Sequence, residues 1–414
     1  MTAGTSMVSA NAPSWAQCLA IACVAGLPVV MWPGLQAPFS APKLALLAVG
    51  ALAVAVATRR DGAVAVSSSL RVLAAAWAVT FIVSAAWADL YAFDTTLLGL
   101  ASVAFAIAVA RSGVPAHRLQ QAQTLGVTGV ALVALLQWGG LDPFALIGWH
   151  APIAGASVRM RVYATMGNPN FVGALMAMSV GLAGAVALGA TTVSARVLAL
   201  AAAGLQAGAL LVTGSRGAVL GLACGALAWA FVRWSGRAVA ALLLILGFGV
   251  AAIAISPARP LETTIAGRVY LWRVVAPHAT QRWLTGLGPG VFELRFPEWQ
   301  RAAAARGQRD ARFLGLTDHA HNDYLEALVE RGVPGLLALV GALGCACRTA
   351  RTLPRPVPPV VAAALASIVA GAACAIVDFP LARPVELAWW WLALVIILAR
   401  HPAFPSRHRQ LMRV

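Results

Sequence analysis

Two histidines and three acids stand together in residues 319–340, HAHNDYLEALVERGVPGLLALV, where a polar segment meets an apolar one. His321 is followed directly by Asn322 and Asp323, and His319 precedes it by two positions. A histidine at a water boundary can titrate near neutral pH and accept a proton from a hydroxyl group. A neighbouring acid could orient its ring and stabilise its cation. The segment therefore predicts His321 as a general base.

Two other interpretations fit the same residues. Asn322 or Asp323 could simply cap the following helix, with incidental histidines beside it. Asp318, His319 and His321 could instead bind a metal ion, since such side chains are zinc ligands. The His-x-His spacing on a loop gives loose geometry, however, and no third ligand cluster is obvious nearby. The sequence therefore favours acid–base chemistry over a metal site.

A second candidate site is the segment TGSRGA at 213–218, a tight connection between two apolar stretches. Ser215 is placed as a helix N-cap, and Arg216 stands in the first turn. Free backbone N–H groups, the helix dipole and a guanidinium would converge there, as in an anion site. The alternative is a helical hairpin whose arginine reaches lipid headgroups.

Further arginines occur in the two longest connections. Arg268 lies one helical turn before Trp272, and Arg159 and Arg161 precede GNPN at 167–170, whose last residue is Asn170. Each arginine could contact phosphate or pair with an acid of the long loop. Together with His321 they predict several cations and a base on one side of a membrane, as a negatively charged lipid-linked substrate would require.

The elements that must position these residues are membrane helices. The chain has 414 residues, of which 60% are hydrophobic and 11% charged, and its mean hydropathy is +0.81; soluble proteins carry roughly 25% charged residues. Apolar segments of the length needed to cross a bilayer, about 20 residues, predict an all-α polytopic membrane protein with about twelve transmembrane helices. The segments are 15–33, 43–58, 70–88, 95–110, 121–139, 170–190, 196–213, 217–233, 237–255, 325–347, 357–377 and 384–400.

The arginines orient these helices. Long loops translocate largely regardless of charge, so only the short connections are counted. The even-numbered connections and the C-terminal tail hold about half of all arginines, whereas the short odd-numbered connections hold only Lys43, Arg216 and Arg383. This asymmetry predicts a bacterial inner-membrane protein with both termini cytoplasmic. The chain then divides into helices 1–9 over 1–255, an outer (periplasmic) loop over 256–324, and helices 10–12 with a short tail over 325–414. The connection 140–169 should face the same outer side.

The outer loop itself contains two segments of helical character, 265–283 and 291–312, separated by the turn GLGPG at 286–290. Its aromatic stripe, Phe292, Phe296 and Trp299, could lie on the membrane surface, but packing of the loop onto the bundle is the preferred interpretation. Glu330 and Arg331, at membrane depth, are expected to be mostly structural.

The formal net charge of +16 does not indicate nucleic-acid binding, because half of the arginines belong to the orientation pattern and no DNA- or RNA-binding module is visible. The six cysteines lie in or beside apolar segments and none lies in the outer loop. They predict neither a disulfide framework nor a zinc site.

Taken together, the motifs resemble the O-antigen ligase and polymerase superfamily of bacterial membrane glycosyltransferases. The resemblance rests on GNPN at 167–170, TGSRGA at 213–218, the stretch from Arg268 to Gly290 and HNDYLEALVERGVPG at 321–335. About twelve helices with one large loop before the last three also agree with that family.

The resemblance implies a GT-C-like fold and an inverting glycosyl transfer at the periplasmic face, without metal or cofactor. The donor would be an undecaprenyl-diphosphate-linked glycan and the acceptor would be lipid A-core oligosaccharide. The protein would also contact the membrane lipids that surround these substrates. The family's essential histidine matches His321, and its periplasmic arginines match Arg216, Arg268 and Arg161. The arginines would hold the diphosphate, while His321 takes the acceptor's proton. The other predicted substrate-binding residues are Arg159, Ser215, His319, Asn322, Asp323, Trp272 and Asn170.

Three activities share this superfamily, and the overall resemblance favours a ligase over a polymerase. A protein oligosaccharyltransferase is disfavoured because the chain ends about fourteen residues after the last predicted helix, where such enzymes usually carry a soluble region. Two hypotheses from other classes are an anion transporter, which predicts charged residues within several spans, and a membrane scaffold, which predicts that His321 is dispensable. The spans are almost free of charged residues.

Overall fold

The computed structural model describes residues 13–88, 93–150, 161–234, 236, 261–308, 310–315 and 317–399. Within these ranges the chain is all-helical and contains thirteen α-helices and no strand, which confirms the predicted fold class. The helices are α1 (Trp15–Gly26), α2 (Ala41–Asp61), α3 (Ser68–Ala85), α4 (Phe93–Ser112), α5 (Ala116–Trp138), α6 (Pro169–Gly189), α7 (Val193–Thr213), α8 (Arg216–Arg233), α9 (Leu261–Val275), α10 (Val291–Ala305), α11 (Asp323–Thr352), α12 (Pro359–Cys374) and α13 (Pro384–Leu398).

Eight of these helices, α2 to α8 and α11, are long and apolar enough to cross a membrane. Three shorter apolar helices, α1, α12 and α13, accompany them. All eleven coincide with predicted segments. The remaining predicted segment, 237–255, lies outside the described residues.

The centre of the bundle is α13, in which every residue from Pro384 to Leu398 is buried. It packs against α2, α3, α4, α6, α11 and α12. A helix that is apolar on all sides is stable only inside such a bundle or a bilayer. One of its polar atoms bonds to a neighbouring helix: the Trp389 indole N–H donates to the Ser179 hydroxyl of α6 at 3.1 Å.

The helix ends gather at two ends of the bundle. At one end, which we call the basic end, α2, α4, α8 and α11 finish with arginine in their last turn. Two connections contact each other there, because the Val64 N–H donates to the Arg111 carbonyl at 2.8 Å. At the other, which we call the site end, α6, α8 and α11 begin with the side-chain caps Asn168, Ser215 and Asn322. The described arginines of the predicted cytoplasmic connections thus lie away from the candidate chemistry.

The helices of the loop before α11 form a small core of their own. Phe292, Phe296 and Trp299 of α10 are at most 5% exposed and pack against α9 and the start of α11, as the packing interpretation of the aromatic stripe predicts. The second loop helix ends at Ala305 rather than at the predicted residue 312, since Gly307 adopts a left-handed conformation with φ of 82° shortly after it. The first regular helix ends at Val275 and continues as a 3₁₀ turn over Ala276–Thr280.

Helix α11 is interrupted by a break, and the loop before this helix contacts it there. Gly332 has φ of 68° inside the predicted segment 325–347, and Pro334 follows it. The backbone groups around the break bond to the turn 283–288: the N–H groups of Leu287 and Gly288 donate to the carbonyls of Val329 and Glu330 at 2.9 and 3.0 Å. Buried backbone groups need such partners, so the break and the turn stabilise each other.

Glu330 and Arg331 complete this junction. The Glu330 carboxylate accepts the Phe292 N–H in the first turn of α10 at 3.3 Å. The Arg331 guanidinium lies over the rings of Trp77 and Phe81 of α3, 4.5 and 4.4 Å from their centroids. Both side chains hold the loop and α3 against α11, in agreement with the structural role expected for them.

Candidate active site

The residue at the centre of the site is His321, at the site end directly before α11. It adopts a left-handed conformation with φ of 50°, which is uncommon for a residue other than glycine. The preceding residue fixes it there: the carbonyl of Ala320 accepts the Trp272 indole N–H at 2.9 Å, and its N–H donates to Glu326 Oε2 at 2.9 Å. Helix α9 and helix α11 therefore both hold the backbone that presents this histidine.

Asp378 faces the ring of His321 from the connection between α12 and α13. Its Oδ1 lies 3.6 Å from Nδ1 of His321, close enough for an ion pair and slightly too far for a hydrogen bond. Burial raises the pKa of Asp378, but Arg383 and His321 outweigh this and lower the pKa to about 2. An ionised carboxylate thus stands against one ring nitrogen. Since Nδ1 is buried and a third of the side chain is exposed, the opposite edge, which carries Nε2, is the part open to water.

His319 lies beside it in a different environment. Its Nδ1 is 2.7 Å from Glu326 Oε1, and its ring stacks on Phe379 with 4.1 Å between centroids. Burial lowers the pKa of His319, but the Glu326 carboxylate outweighs it and raises the pKa to about 9. This histidine is therefore a cation at neutral pH and is suited to attract an anion rather than to act as a base.

Asn322 and Asp323 join α11 to the connection that carries Asp378. Asn322 caps the helix by accepting the Leu325 N–H at 2.9 Å, and its amide donates to the Ile376 carbonyl at 3.1 Å. The Asp323 carboxylate is buried and accepts the Leu381 N–H at 2.9 Å. The cap predicted from the sequence is present, and these contacts fix the relative position of His321 and its acid.

The start of α8 reaches the same connection. Ser215 caps the helix, its hydroxyl accepting the Ala218 N–H at 3.4 Å, and Arg216 is the first helical residue and is partly exposed. The Gly217 carbonyl accepts the thiol of Cys374 at 3.5 Å. A Cβ added at Gly217 would lie 3.1 Å from the side chain of Val377, so α8 begins against the residues that precede Asp378.

GNPN is brought to this site through α6. Asn168 accepts the N–H of Asn170 at 2.9 Å and starts the helix, and Phe171 then meets Phe379 edge-on with 5.4 Å between ring centroids. One turn further, Gly173 packs so closely on Ser215 that a Cβ there would lie 3.0 Å from the serine side chain. The two glycine-containing motifs, 170 and 215 included, are thus neighbours in space.

Arg268 and Trp272 approach from the loop on α9. Burial lowers the pKa of the Arg268 guanidinium, and the Asp378 carboxylate is close enough to offset part of that shift. An arginine remains charged in proteins, so Arg268 brings a partly buried positive charge to the His321 side of the loop. Trp272 contributes the hydrogen bond to Ala320 described above.

Arg161, in the other outer connection, makes none of the contacts given above. Arg161 is exposed and begins the described part of that connection. The residues after it are anchored, because the Tyr163 hydroxyl donates to Asp142 and the Ala164 N–H donates to Gln137 Oε1 at 2.7 Å. Arg159 lies outside the described residues.

The sequence analysis missed four groups that the structure adds to the site: Asp378, Phe379, Arg383 and Glu386. Phe379 contacts His319, His321 and Phe171, with centroid distances between 4.1 and 5.4 Å. Arg383 bonds to Asp378 at 3.3 Å and lies 2.8 Å from the buried carboxylate of Glu386. A signal was present, since an acid, an arginine and a second acid within nine positions between two apolar segments are costly unless paired or functional.

Among the described residues, no three His, Cys, Asp or Glu side chains group in a way that could hold a metal ion. The metal hypothesis for Asp318, His319 and His321 therefore has no ligand cluster in that part of the chain. His319 and His321 instead pair with separate carboxylates, Glu326 and Asp378.

The family model described as O-antigen ligase matches residues 201–340, which include Arg216, Arg268 and His321. No curated protein matches the chain. The family match confirms the resemblance to the O-antigen ligase and polymerase superfamily.

Proposed function

We propose that this membrane protein belongs to the O-antigen ligase and polymerase superfamily, which the family match over residues 201–340 supports, and that it is the ligase. It transfers a glycan from undecaprenyl diphosphate to lipid A-core oligosaccharide, with inversion at the transferred sugar and without a metal ion. The site end faces the periplasm and the basic end the cytoplasm, in keeping with the excess of arginine on cytoplasmic connections. We infer from this orientation that the protein lies in a bacterial inner membrane.

The observation that carries the proposal is the pairing of His321 with Asp378 at 3.6 Å, with the opposite ring edge exposed. An acceptor hydroxyl at that edge gives its proton to Nε2 as its oxygen attacks the anomeric carbon. Asp378 stabilises the imidazolium that forms. A positioned base of this kind contributes about 10²–10⁴-fold.

The remaining rate enhancement comes from the leaving group. Displacement breaks the bond between the anomeric carbon and the diphosphate, whose negative charge increases as the sugar leaves. Arg216, at the N-terminus of α8, and Arg268, on α9, hold that diphosphate, and preorganised cations of this kind stabilise developing charge strongly. Attack from the face opposite the leaving group inverts the configuration of the sugar.

Neighbouring residues support these groups. The His319 cation adds positive charge beside His321, and Ser215 and Asn170 place backbone N–H groups of two helix starts toward the anion. Arg161 and Arg159 guide the approach of the charged donor. Trp272, Asn322 and Asp323 hold the acceptor side of the site through their hydrogen bonds to the backbone of Ala320, Ile376 and Leu381.

The test is transfer in vitro from purified undecaprenyl-diphosphate glycan to lipid A-core, in the presence of a chelator. We expect product with the wild type and none with His321→Ala or Arg216→Ala. His150→Ala and Arg295→Ala, which change an exposed histidine and an exposed arginine elsewhere, are the matched controls and should retain activity.

Each other result selects a different function. Elongated donor chains without product on lipid A-core would make the protein a polymerase, and transfer to a protein hydroxyl would make it an oligosaccharyltransferase. Activity lost with chelator and restored by one divalent ion would make His319, His321 and Asp318 metal ligands. Transport of the donor without any glycan transfer would support the anion-transporter hypothesis. Normal transfer by His321→Ala would refute the catalytic role of His321.

A further inference from the structure

A cavity separate from His321 lies beside another face of α9. It has a volume of about 800 Å³ and opens between that helix and Gly307, Gln308, Asp310, Arg312 and Phe313. Binding sites for small molecules usually enclose about 300–1,000 Å³. Its lining includes Tyr270, Arg273, Gln308, Asp310, Arg312 and Phe313.

The walls of this cavity combine aromatic rings with planar polar groups. Tyr270 and Phe313 form a tilted pair with 6.0 Å between ring centroids. Arg312 binds Asp310 through two parallel hydrogen bonds of 3.0 and 2.7 Å and lies over the Phe313 ring at 5.1 Å. The carboxylate and guanidinium are therefore held in fixed orientations, while the rings present apolar faces beside them.

Helix capping explains only part of this arrangement. Asp310 accepts the Arg312 N–H at 3.1 Å and starts a short 3₁₀ turn, so this pair has a local structural role. The Tyr270 hydroxyl is different, because it is buried and has no hydrogen-bond partner among the described residues. A buried hydroxyl without a partner is costly, and this one belongs to a residue of the cavity wall.

We propose that this cavity, which we call the α9 cavity, binds an oligosaccharide. Sugar rings offer apolar C–H faces to aromatic side chains and paired hydroxyls to carboxylate, amide and guanidinium groups. The cavity presents all of these, and the arginines Arg273 and Arg312 against the single acid Asp310 also suit an acidic sugar. A purely apolar ligand, such as the isoprenoid part of the donor, would leave these polar groups unpaired.

The position of the α9 cavity connects it to the proposed reaction, on which this inference rests. The face of α9 that carries Trp272 holds the backbone next to His321, whereas Val269, Tyr270 and Arg273 face the cavity. The two sites thus lie on different faces of α9, a helix that measures roughly 10–12 Å across with its side chains. One sugar does not extend around the helix from one face to the other, so the bound ligand is a chain of several sugars whose end reaches His321.

Both substrates of a ligase carry such chains, and binding experiments distinguish them. The probes are the core oligosaccharide released from lipid A and the glycan released from the donor lipid, each titrated into the full-length His321→Ala protein in detergent. We expect one of them to bind, and we expect Arg273→Ala and Phe313→Ala to weaken that binding about tenfold, the effect of one lost aromatic or charged contact. Tyr270→Phe, which removes only the hydroxyl, should weaken the same binding without affecting the fold.

Arg295→Ala and Trp283→Ala are the controls, because both side chains are exposed on the same loop outside the cavity. The probe that binds identifies whether the donor or the acceptor occupies the α9 cavity. In the active protein, the same variants should raise the KM for that substrate alone and leave kcat nearly unchanged. Absence of binding by both probes, or binding that all three cavity variants leave unchanged, would overturn the proposal. This outcome is independent of the proposed function, which fails only if the His321 and Arg216 variants transfer normally or wild type makes no ligation product.

Discussion

Replacing Glu326 by glutamine should change how the stability of this protein depends on pH. Glu326 Oε1 is 2.7 Å from Nδ1 of His319, and its Oε2 accepts the Ala320 N–H. Glutamine retains the size of the side chain and one acceptor for Ala320 but loses the negative charge. The His319 cation then lacks the carboxylate that offsets its burial.

The sign of the effect follows from the two pKa values of His319, 6.5 when unperturbed and about 9 in the folded protein. A group whose pKa rises on folding stabilises the folded state fully below its unfolded pKa, and this contribution disappears as the pH rises through its folded pKa. At 1.36 kcal/mol per pKa unit, the difference amounts to at most about 3 kcal/mol. The wild type should therefore lose stability between about pH 6.5 and 9, and Glu326→Gln should not.

The measurement is thermal unfolding of the detergent-solubilised protein across that pH range, for the wild type, Glu326→Gln and His319→Gln. Both variants should be less stable than the wild type at pH 6.5 and should approach it near pH 9. The reasoning is refuted if the wild type and Glu326→Gln decline in parallel. A decline that persists in His319→Gln would assign the titration to another group.

Two further changes test the packing and the proposed chemistry. Lys43→Met removes the ammonium that donates to the carbonyls of Val30, Phe39 and Thr165 at 2.7–2.9 Å, and the three unpaired carbonyls should lower the free energy of unfolding by about 3 kcal/mol or more. Thr165→Val removes one hydroxyl donor to the Pro28 carbonyl and should lower the free energy of unfolding by about 1 kcal/mol. Both changes are measured by unfolding in mixed micelles. Asp378→Asn should lower kcat of transfer about 10²-fold with little change in the donor KM, since it removes stabilisation of the imidazolium, and unchanged kcat would remove Asp378 from the mechanism.

The transmembrane helices were predictable because the hydrophobicity that defines each span is a property of one continuous segment of sequence. A run of about 20 apolar residues must form a helix in a bilayer, and the serine or asparagine before α8 and α11 is a local cap signal. The aromatic stripe of α10 was equally readable from its spacing. The break at Gly332 was not anticipated, although Gly332 and Pro334 together indicate it, because the apolar character of the segment continues across the break.

The assembly of the site was predictable only in part. His321, Arg216 and Arg268 carry types and spacing that suggest chemistry, and the structure places their segments around one connection. Asp378, the acid that faces His321, is 57 positions away in the chain, and the sequence suggested the nearby Asp318 and Asp323 instead. In the structure the Asp323 carboxylate accepts the Leu381 N–H instead. Asp323 is the first residue of α11, so the packing of α11 determines the direction of its side chain.

The ring of Phe379 explains how distant segments reach a common geometry. It touches His319, His321 and Phe171, and Arg383 lies over it at 5.2 Å. The connection that carries it is short and leads into α13, which is buried along its whole length. Because a close-packed interior transmits displacement instead of absorbing it, the bundle core sets the distance between Asp378 and His321. A small residue in place of Phe379 should thus shift the positions of both His319 and His321, although their carboxylate partners Glu326 and Asp378 are unchanged.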